Sequence, residues 1–166
     1  MLALASPSVS VTHEIAAAIA RLARRGDLFV LAGEMGSGKT AFAQGFGRAL
    51  GVTEPITSPT FTIVHSYDCG KTTLHHADLY RLERMAEVAD LALGELLEAD
   101  GILLVEWGDV VSAALGDHLE IRLIPDDPEH PDHRGIEIRP SGRGWTSRWA
   151  NLEAALAPWR TWSPSC

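Results

Sequence analysis

The chain has 166 residues, of which 46% are hydrophobic, 22% charged and 7% aromatic, enough apolar material for the core of one domain and little for a second. Fourteen Lys and Arg against twenty-two Asp and Glu give a net charge of −8, the opposite of the basic footprint of a protein that grips nucleic acid unaided, so DNA binding is not expected and any RNA role requires a partner. Two cysteines, Cys69 and Cys166, make neither a disulfide framework nor a zinc site, and no apolar run approaches the ~18 residues of a membrane span; neither a signal peptide nor a membrane is expected, and the expected compartment is the cytoplasm.

Along the chain, Ser10 or Thr12 can cap a first helix whose apolar positions Ile15, Ala16, Ile19 and Ala23 recur at helical spacing, with Arg24 and Arg25 in its last turn and Gly26 beyond. Leu28–Ala32 reads as a short buried strand, and after a glycine-rich turn Phe42, Phe46 and Leu50 mark a second helix ending at Gly51. Five further strands are predicted over 61–67, 72–77, 102–105, 119–124 and 135–139, with helical segments near 84–99 and 147–157. Trp149, Leu152, Leu156 and Trp159 form an apolar stripe suited to packing on the chain's own core, the commoner use of such a stripe, or to docking a partner. Residues 1–160 are expected to form a single domain and 161–166 a loose tail.

Between strand and helix stand Gly33, Glu34, Met35, Gly36, Ser37, Gly38, Lys39 and Thr40, the phosphate-loop pattern in its required context. Glycines let successive backbone N–H groups turn inward, the helix adds its positive N-terminal end, the lysine reaches β- and γ-phosphates, and the threonine hydroxyl can ligate magnesium. The expected fold is therefore α/β, a three-layer P-loop NTPase-type domain around a mixed, mainly parallel central sheet. Lys39 and Lys71 are the only lysines beside twelve arginines. Gly70, Lys71 and Thr72 repeat the end of the motif without its start and read as a hairpin turn. Neither lysine lies in the Asn-Lys-x-Asp setting that reads guanine, which favours ATP.

A phosphate loop needs a carboxylate at the end of a neighbouring strand. Glu106 closes an apolar run from Ile102, and Asp78 closes a second, less apolar strand; one can hold the metal while the other orients water. His75 and His76 precede Asp78 on opposite strand faces, and both read as packed or solvated residues. Thr57, Ser58, Pro59, Thr60 and Phe61 fit a plain proline turn entering a strand as well as they fit a nucleotide-sensing switch, in which Pro59 extends Ser58 and Thr60 can offer its hydroxyl or N–H to the γ-phosphate or metal. The cluster Asp126, Asp127, Pro128, Glu129, His130, Pro131, Asp132, His133 contains metal-ligand types but reads as a solvated hairpin loop.

The phosphate loop, Ser58-Pro59-Thr60-Phe61, His76-Ala77-Asp78-Leu79-Tyr80-Arg81-Leu82 and Glu106-Trp107 together resemble the TsaE (YjeE) family in order and spacing. The resemblance implies an ATPase that binds the TsaB–TsaD pair, with TsaC usually upstream. It would use ATP and magnesium to permit repeated formation of threonylcarbamoyladenosine at position 37 of tRNAs reading codons that begin with A, touching tRNA only through its partners. It also implies site roles: Lys39 and Thr40 on phosphates and magnesium, Glu106 at the metal, Asp78 as the second essential carboxylate, Thr60 as the switch and Trp107 beside the site. Ala41 stands where the family often has another hydroxyl, leaving its backbone N–H as the phosphate contact. The family's adenine-side contact maps to the entry of the first helix, near Ser10 to Thr12. Two other functions fit the motifs: a small-molecule kinase, for which Arg81 and Arg84 are the nearest lid arginines, and a nucleotide-gated binding module with incidental hydrolysis.

Overall fold

A computed structural model of the chain describes residues 1–58, 64–79, 93–98, 101–106 and 115–160. In chain order the elements are β1 Leu2–Ser6, α1 Val9–Ala20, β2 Leu28–Ala32, α2 Lys39–Leu50, β3 Val64–Asp68, β4 Thr73–Asp78, α3 Leu93–Glu98, β5 Ile102–Glu106, β6 His118–Pro125, β7 Arg134–Ser141, α4 Arg143–Thr146, α5 Trp149–Leu156 and a 3₁₀ turn Ala157–Trp159. Among the described residues the strands form one sheet ordered β1-β7-β6-β2-β5-β4-β3. The central four, β6, β2, β5 and β4, are mutually parallel; β3, β7 and β1 join antiparallel at the flanks. This is the α/β sheet expected from the strand, glycine loop, helix sequence.

The alternation of side chains along each strand divides the core into two layers. Phe29, Leu31, Ile102 and Leu104 face one way, into a cluster with α1, α2 and α5. Leu28, Val30, Leu103 and Val105 face the other, with Leu96 of α3 packed against them. On the first side Phe29 meets Phe46 edge-on with ring centroids 4.8 Å apart and Trp145 likewise at 5.3 Å, and Leu152 and Leu156 are fully buried with Trp149 and Trp159 packed beside them. The C-terminal apolar stripe thus folds onto the chain's own core. Arg148 fastens this segment: its guanidinium lies 3.8 Å from the Trp145 ring centre and bonds both carboxylate oxygens of Asp27, at 2.6 and 2.9 Å. Helices α1 and α2 approach so closely that a Cβ on Gly45 would stand 2.6 Å from the His13 Cα.

Several local expectations are corrected. The cap of α1 is Ser8, whose Oγ accepts from the Val11 N–H at 3.2 Å; Thr12 is instead buried one turn inside, its hydroxyl 2.7 Å from Ser6 Oγ, and Ser10 lies exposed in the first turn. The helix ends at Ala20, so Arg24 and Arg25 fall in the following turn, where the Arg24 N–H bonds Asp27 Oδ2. β1 was not expected. Its side chains alternate, Leu2, Leu4 and Ser6 buried, and it completes the sheet beside β7. The single helix expected near 147–157 is α5, preceded by the separate short α4 and followed by the 3₁₀ turn. The start of the 61–67 strand, most of the 84–99 segment, Arg81, Arg84 and the 161–166 tail lie outside the described residues.

Candidate functional site

Three parallel strands bring the site together at their C-terminal ends. β5 lies between β2 and β4, with Leu31 opposite Glu106 and Asp78 opposite Glu106; the two carboxylates predicted from separate strand ends are therefore lateral neighbours, Glu106 one strand and Asp78 two strands away from the strand, β2, that leads into the loop. In that loop Gly33, Gly36 and Gly38 take φ of 136°, 78° and 103°, values open to glycine at little steric cost. Gly33 is further constrained, because a Cβ there would lie 2.5 Å from Leu123 O. α2 begins at Lys39 directly after Gly38, so the first-turn N–H groups that lack helical partners open toward the loop.

Lys39 is only 5% exposed. Its ammonium donates to the carbonyls of Gly33 and Glu34 at 2.9 and 2.8 Å. Ser37 is fully buried and its Oγ has no hydrogen-bond partner among the described residues, a costly state for a hydroxyl. A pre-curled glycine loop, a buried ammonium that donates to two of the loop's carbonyls and a buried hydroxyl with no partner among the described residues fit a phosphate chain. A cavity of about 310 Å³ opens above it, lined by Met35, Gly36, Gly38, Lys39, Thr40, Ser58, Asp78 and Glu106. Oxygen donors from Thr40, Asp78 and Glu106 are the hard ligands magnesium takes, so the donor set fits that ion. Met35, at the tip, is 73% exposed, Glu34 is exposed beside it, and Ala41 follows Thr40 in the first turn of α2.

The two carboxylates are individually held. Asp78 Oδ2 accepts from Ser58 Oγ at 3.1 Å. Glu106, 3% exposed, has Oε1 2.8 Å from Nε2 of His76, whose side chain is fully buried. His76 is thus packed, as expected, and in addition bonds Glu106, whereas His75 is packed on the opposite face against Ser66 Oγ at 2.8 Å, and burial holds its pKa below the usual histidine value. Thr60, the proposed switch, and Trp107 lie outside the described residues.

A residue that sequence reasoning missed braces the loop from behind. Arg134, at the start of β7, donates from Nε to Ser37 O at 2.6 Å and from a terminal nitrogen to Gly36 O at 3.3 Å, occupying two of the loop's carbonyls. It also lines a second cavity of about 450 Å³ with Ala5, Ser6, Pro7, Val11, Asp126, His133, Pro158 and Trp159. This cavity lies at the entry of α1, where an adenine-side contact was expected. Ser6, Pro7 and Val11 line it from that segment; Ser10 does not.

The remaining motifs resolve as turns. Residues 69–72 join β3 to β4, with the Cys69 N–H on Thr72 O and Gly70 at φ 79°. The acidic, histidine-bearing cluster is the β6–β7 hairpin loop. There His130 Nδ1 and Asp127 Oδ2 are 2.6 Å apart, and ligand atoms of Asp127, His130 and His133 lie within 4.8 Å of one another. The His130 contact holds the exposed Asp127 carboxyl below its usual pKa. No described helix is long and apolar enough to cross a membrane.

The family model described as "Threonylcarbamoyl adenosine biosynthesis protein TsaE" matches residues 6–134. Among curated proteins named tRNA threonylcarbamoyladenosine biosynthesis protein TsaE, the one from Bacillus subtilis is 42% identical over 104 residues, 63% of this chain and 65% of its own length. That from Treponema pallidum is 35% identical over 73% of this chain and 91% of its own. That from Streptomyces coelicolor is 36% identical over 87% and 97%. The crystal structure of Bacillus subtilis YdiB superposes with a TM-score of 0.73 at 31% identity, covering 95% of this chain and 94% of that one.

Proposed function

Because the chain belongs to the TsaE family of threonylcarbamoyladenosine biosynthesis proteins, we propose that it is a magnesium-dependent ATPase serving as the energy-driven switch of that tRNA modification. In this reading it acts in the cytoplasm and binds the TsaB–TsaD pair, which handles the tRNA. ATP binding and hydrolysis permit repeated rounds at position 37 of tRNAs reading codons that begin with A. The observation that carries the reading is the convergence of Lys39, Thr40, Asp78 and Glu106 on one cavity at the N-terminus of α2.

Each residue has a physical task there. The N–H groups from Gly36 to Ala41 cradle the phosphate oxygens, helped by the positive end of α2. Lys39 exchanges two neutral carbonyls for anionic oxygens, which strengthens each of its hydrogen bonds. Thr40 and one of the two carboxylates, Glu106 or Asp78, would hold magnesium, and the ion, when bound, neutralises charge on the β- and γ-phosphate oxygens. The carboxylate that does not carry the ion orients the attacking water. Ser58, by donating to Asp78, ties the segment leading to Thr60 to the site, so that Thr60 can respond to the γ-phosphate.

The test is ATP turnover by Lys39→Ala and Glu106→Ala, each of which removes charge facing the phosphates. Both are expected to lose turnover, with free phosphate as the product of the parent protein. Near-normal hydrolysis in both would overturn the mechanism, and a phosphorylated acceptor would make the protein a kinase.

A further inference from the structure

His76 and Glu106 do not face each other by register: His76 stands opposite Leu104, and Glu106 opposite Asp78. They meet diagonally on one face of the β4–β5 pair, the reach available to long side chains two positions apart. The contact is 2.8 Å long between side chains 0% and 3% exposed. A carboxylate only accepts, so Nε2 is the donor in this contact. The other ring nitrogen, Nδ1, is buried without a hydrogen-bond partner among the described residues.

For stability alone this is a poor use of a buried position. The neighbours on the same side, Leu74, Ile102 and Leu104, are fully or almost fully buried apolar residues, and a ring nitrogen with no partner among the described residues is a costlier occupant of such a place than a leucine. What the imidazole gains is control of one oxygen of a carboxylate at the edge of the cavity.

We propose that His76 is a positioning residue for Glu106: its Nε2–H holds Oε1, fixing the carboxylate so that the remaining oxygen is presented to the cavity shared with Thr40 and Asp78. Partners of this kind orient metal-binding and catalytic groups through the atom that does not touch the ligand. Ser58 likewise donates to Oδ2 of Asp78. The inference rests on the ATPase reading above and adds a residue that never touches nucleotide.

Two variants separate positioning from packing. His76→Gln keeps an N–H donor at similar reach, and His76→Met keeps the length without the donor. A fluorescent ADP analogue is titrated with EDTA and then with graded Mg²⁺ or Mn²⁺, alongside ATP turnover and melting curves. His76→Met is expected to bind the analogue in EDTA as the parent does, to need about ten- to a hundredfold more metal for the metal-dependent gain, and to lose kcat rather than raise KM; His76→Gln is expected to recover most of both. Should His76→Met not fold, His76→Asn, whose amide is too short to reach Glu106, takes its place. Unchanged metal dependence in the donor-less variant, or a glutamine no better than it, would overturn the positioning role. If the parent protein shows no metal-dependent nucleotide binding and Lys39→Ala binds as well as the parent, the ATPase reading itself fails.

Discussion

The approach of α1 to α2 yields a prediction whose size follows from the geometry. A methyl at Gly45 would stand 2.6 Å from the His13 Cα, 2.8 Å from its carbonyl oxygen and 3.0 Å from its Cβ, whereas carbon atoms pack at about 3.5–4.0 Å. The obstruction is backbone, so no rotamer relieves it and the helices must separate by about 1 Å. Overpacking of this kind costs about 1–3 kcal/mol, and the upper end applies when the neighbour cannot yield. Alanine's better helix propensity returns about 1 kcal/mol, leaving a net loss of about 2 kcal/mol for Gly45→Ala, or a fall of about 4–8 °C in Tm for a chain of this size. Because α2 starts at Lys39, its displacement also shifts the phosphate loop, and ATP affinity should fall together with Tm. Gly94 in α3, where an added Cβ meets nothing within 4 Å, is the control: Gly94→Ala should be neutral or slightly stabilising. Thermal denaturation of both variants, with nucleotide titration of the first, checks the reasoning, and a Gly45→Ala protein as stable as its parent would refute it.

Arg134→Gln should leave Tm nearly unchanged while weakening ATP binding about 5–30-fold, since the lost bonds to Gly36 O and Ser37 O hold the loop in its receptive shape; equilibrium nucleotide titration measures this, and unaltered affinity would remove Arg134 from the account. His75 is predicted to make the fold acid-sensitive. Burial lowers its pKa from 6.5, so the unfolded chain takes up a proton first, and the stabilisation present above about pH 6.5 is lost as pH falls toward the depressed folded value. Melting curves between pH 7.5 and 5 should fall less steeply for His75→Gln than for the parent; the burial-depressed pKa of His13 acts in the same direction and supplies the residual slope.

The division between what could be read from the chain and what could not follows the range of the interactions. The phosphate loop was readable because its glycines, Lys39 and Thr40 act through neighbouring backbone, and Asp78 and Glu106 were readable as acids ending strands. That these strands are adjacent, with the two carboxylates opposite one another, is a matter of sheet order. His76 gains its role from a strand thirty residues away, and Arg134 reaches Ser37 across ninety-seven; local pattern carries neither. The cap of α1 was misplaced because Ser8, Ser10 and Thr12 all offer hydroxyls, and the choice is made by Ser6, which engages Thr12. β1 did carry a signal, the alternation of Leu2, Leu4 and Ser6, but five residues are short for a period-two pattern, and its partner Arg134–Ser141 lies at the other end of the chain.

The central claim is that ATP chemistry at Lys39 drives repeated tRNA modification beside partners that carry the transfer. Its most direct measurement is a reconstitution with TsaB, TsaD, tRNA, threonylcarbamoyl-AMP and this protein, counting modified tRNAs per complex. With ATP the parent protein should support many rounds, while Lys39→Ala, or the parent without ATP, should stop at about one. Equal yields under all three conditions would contradict the account.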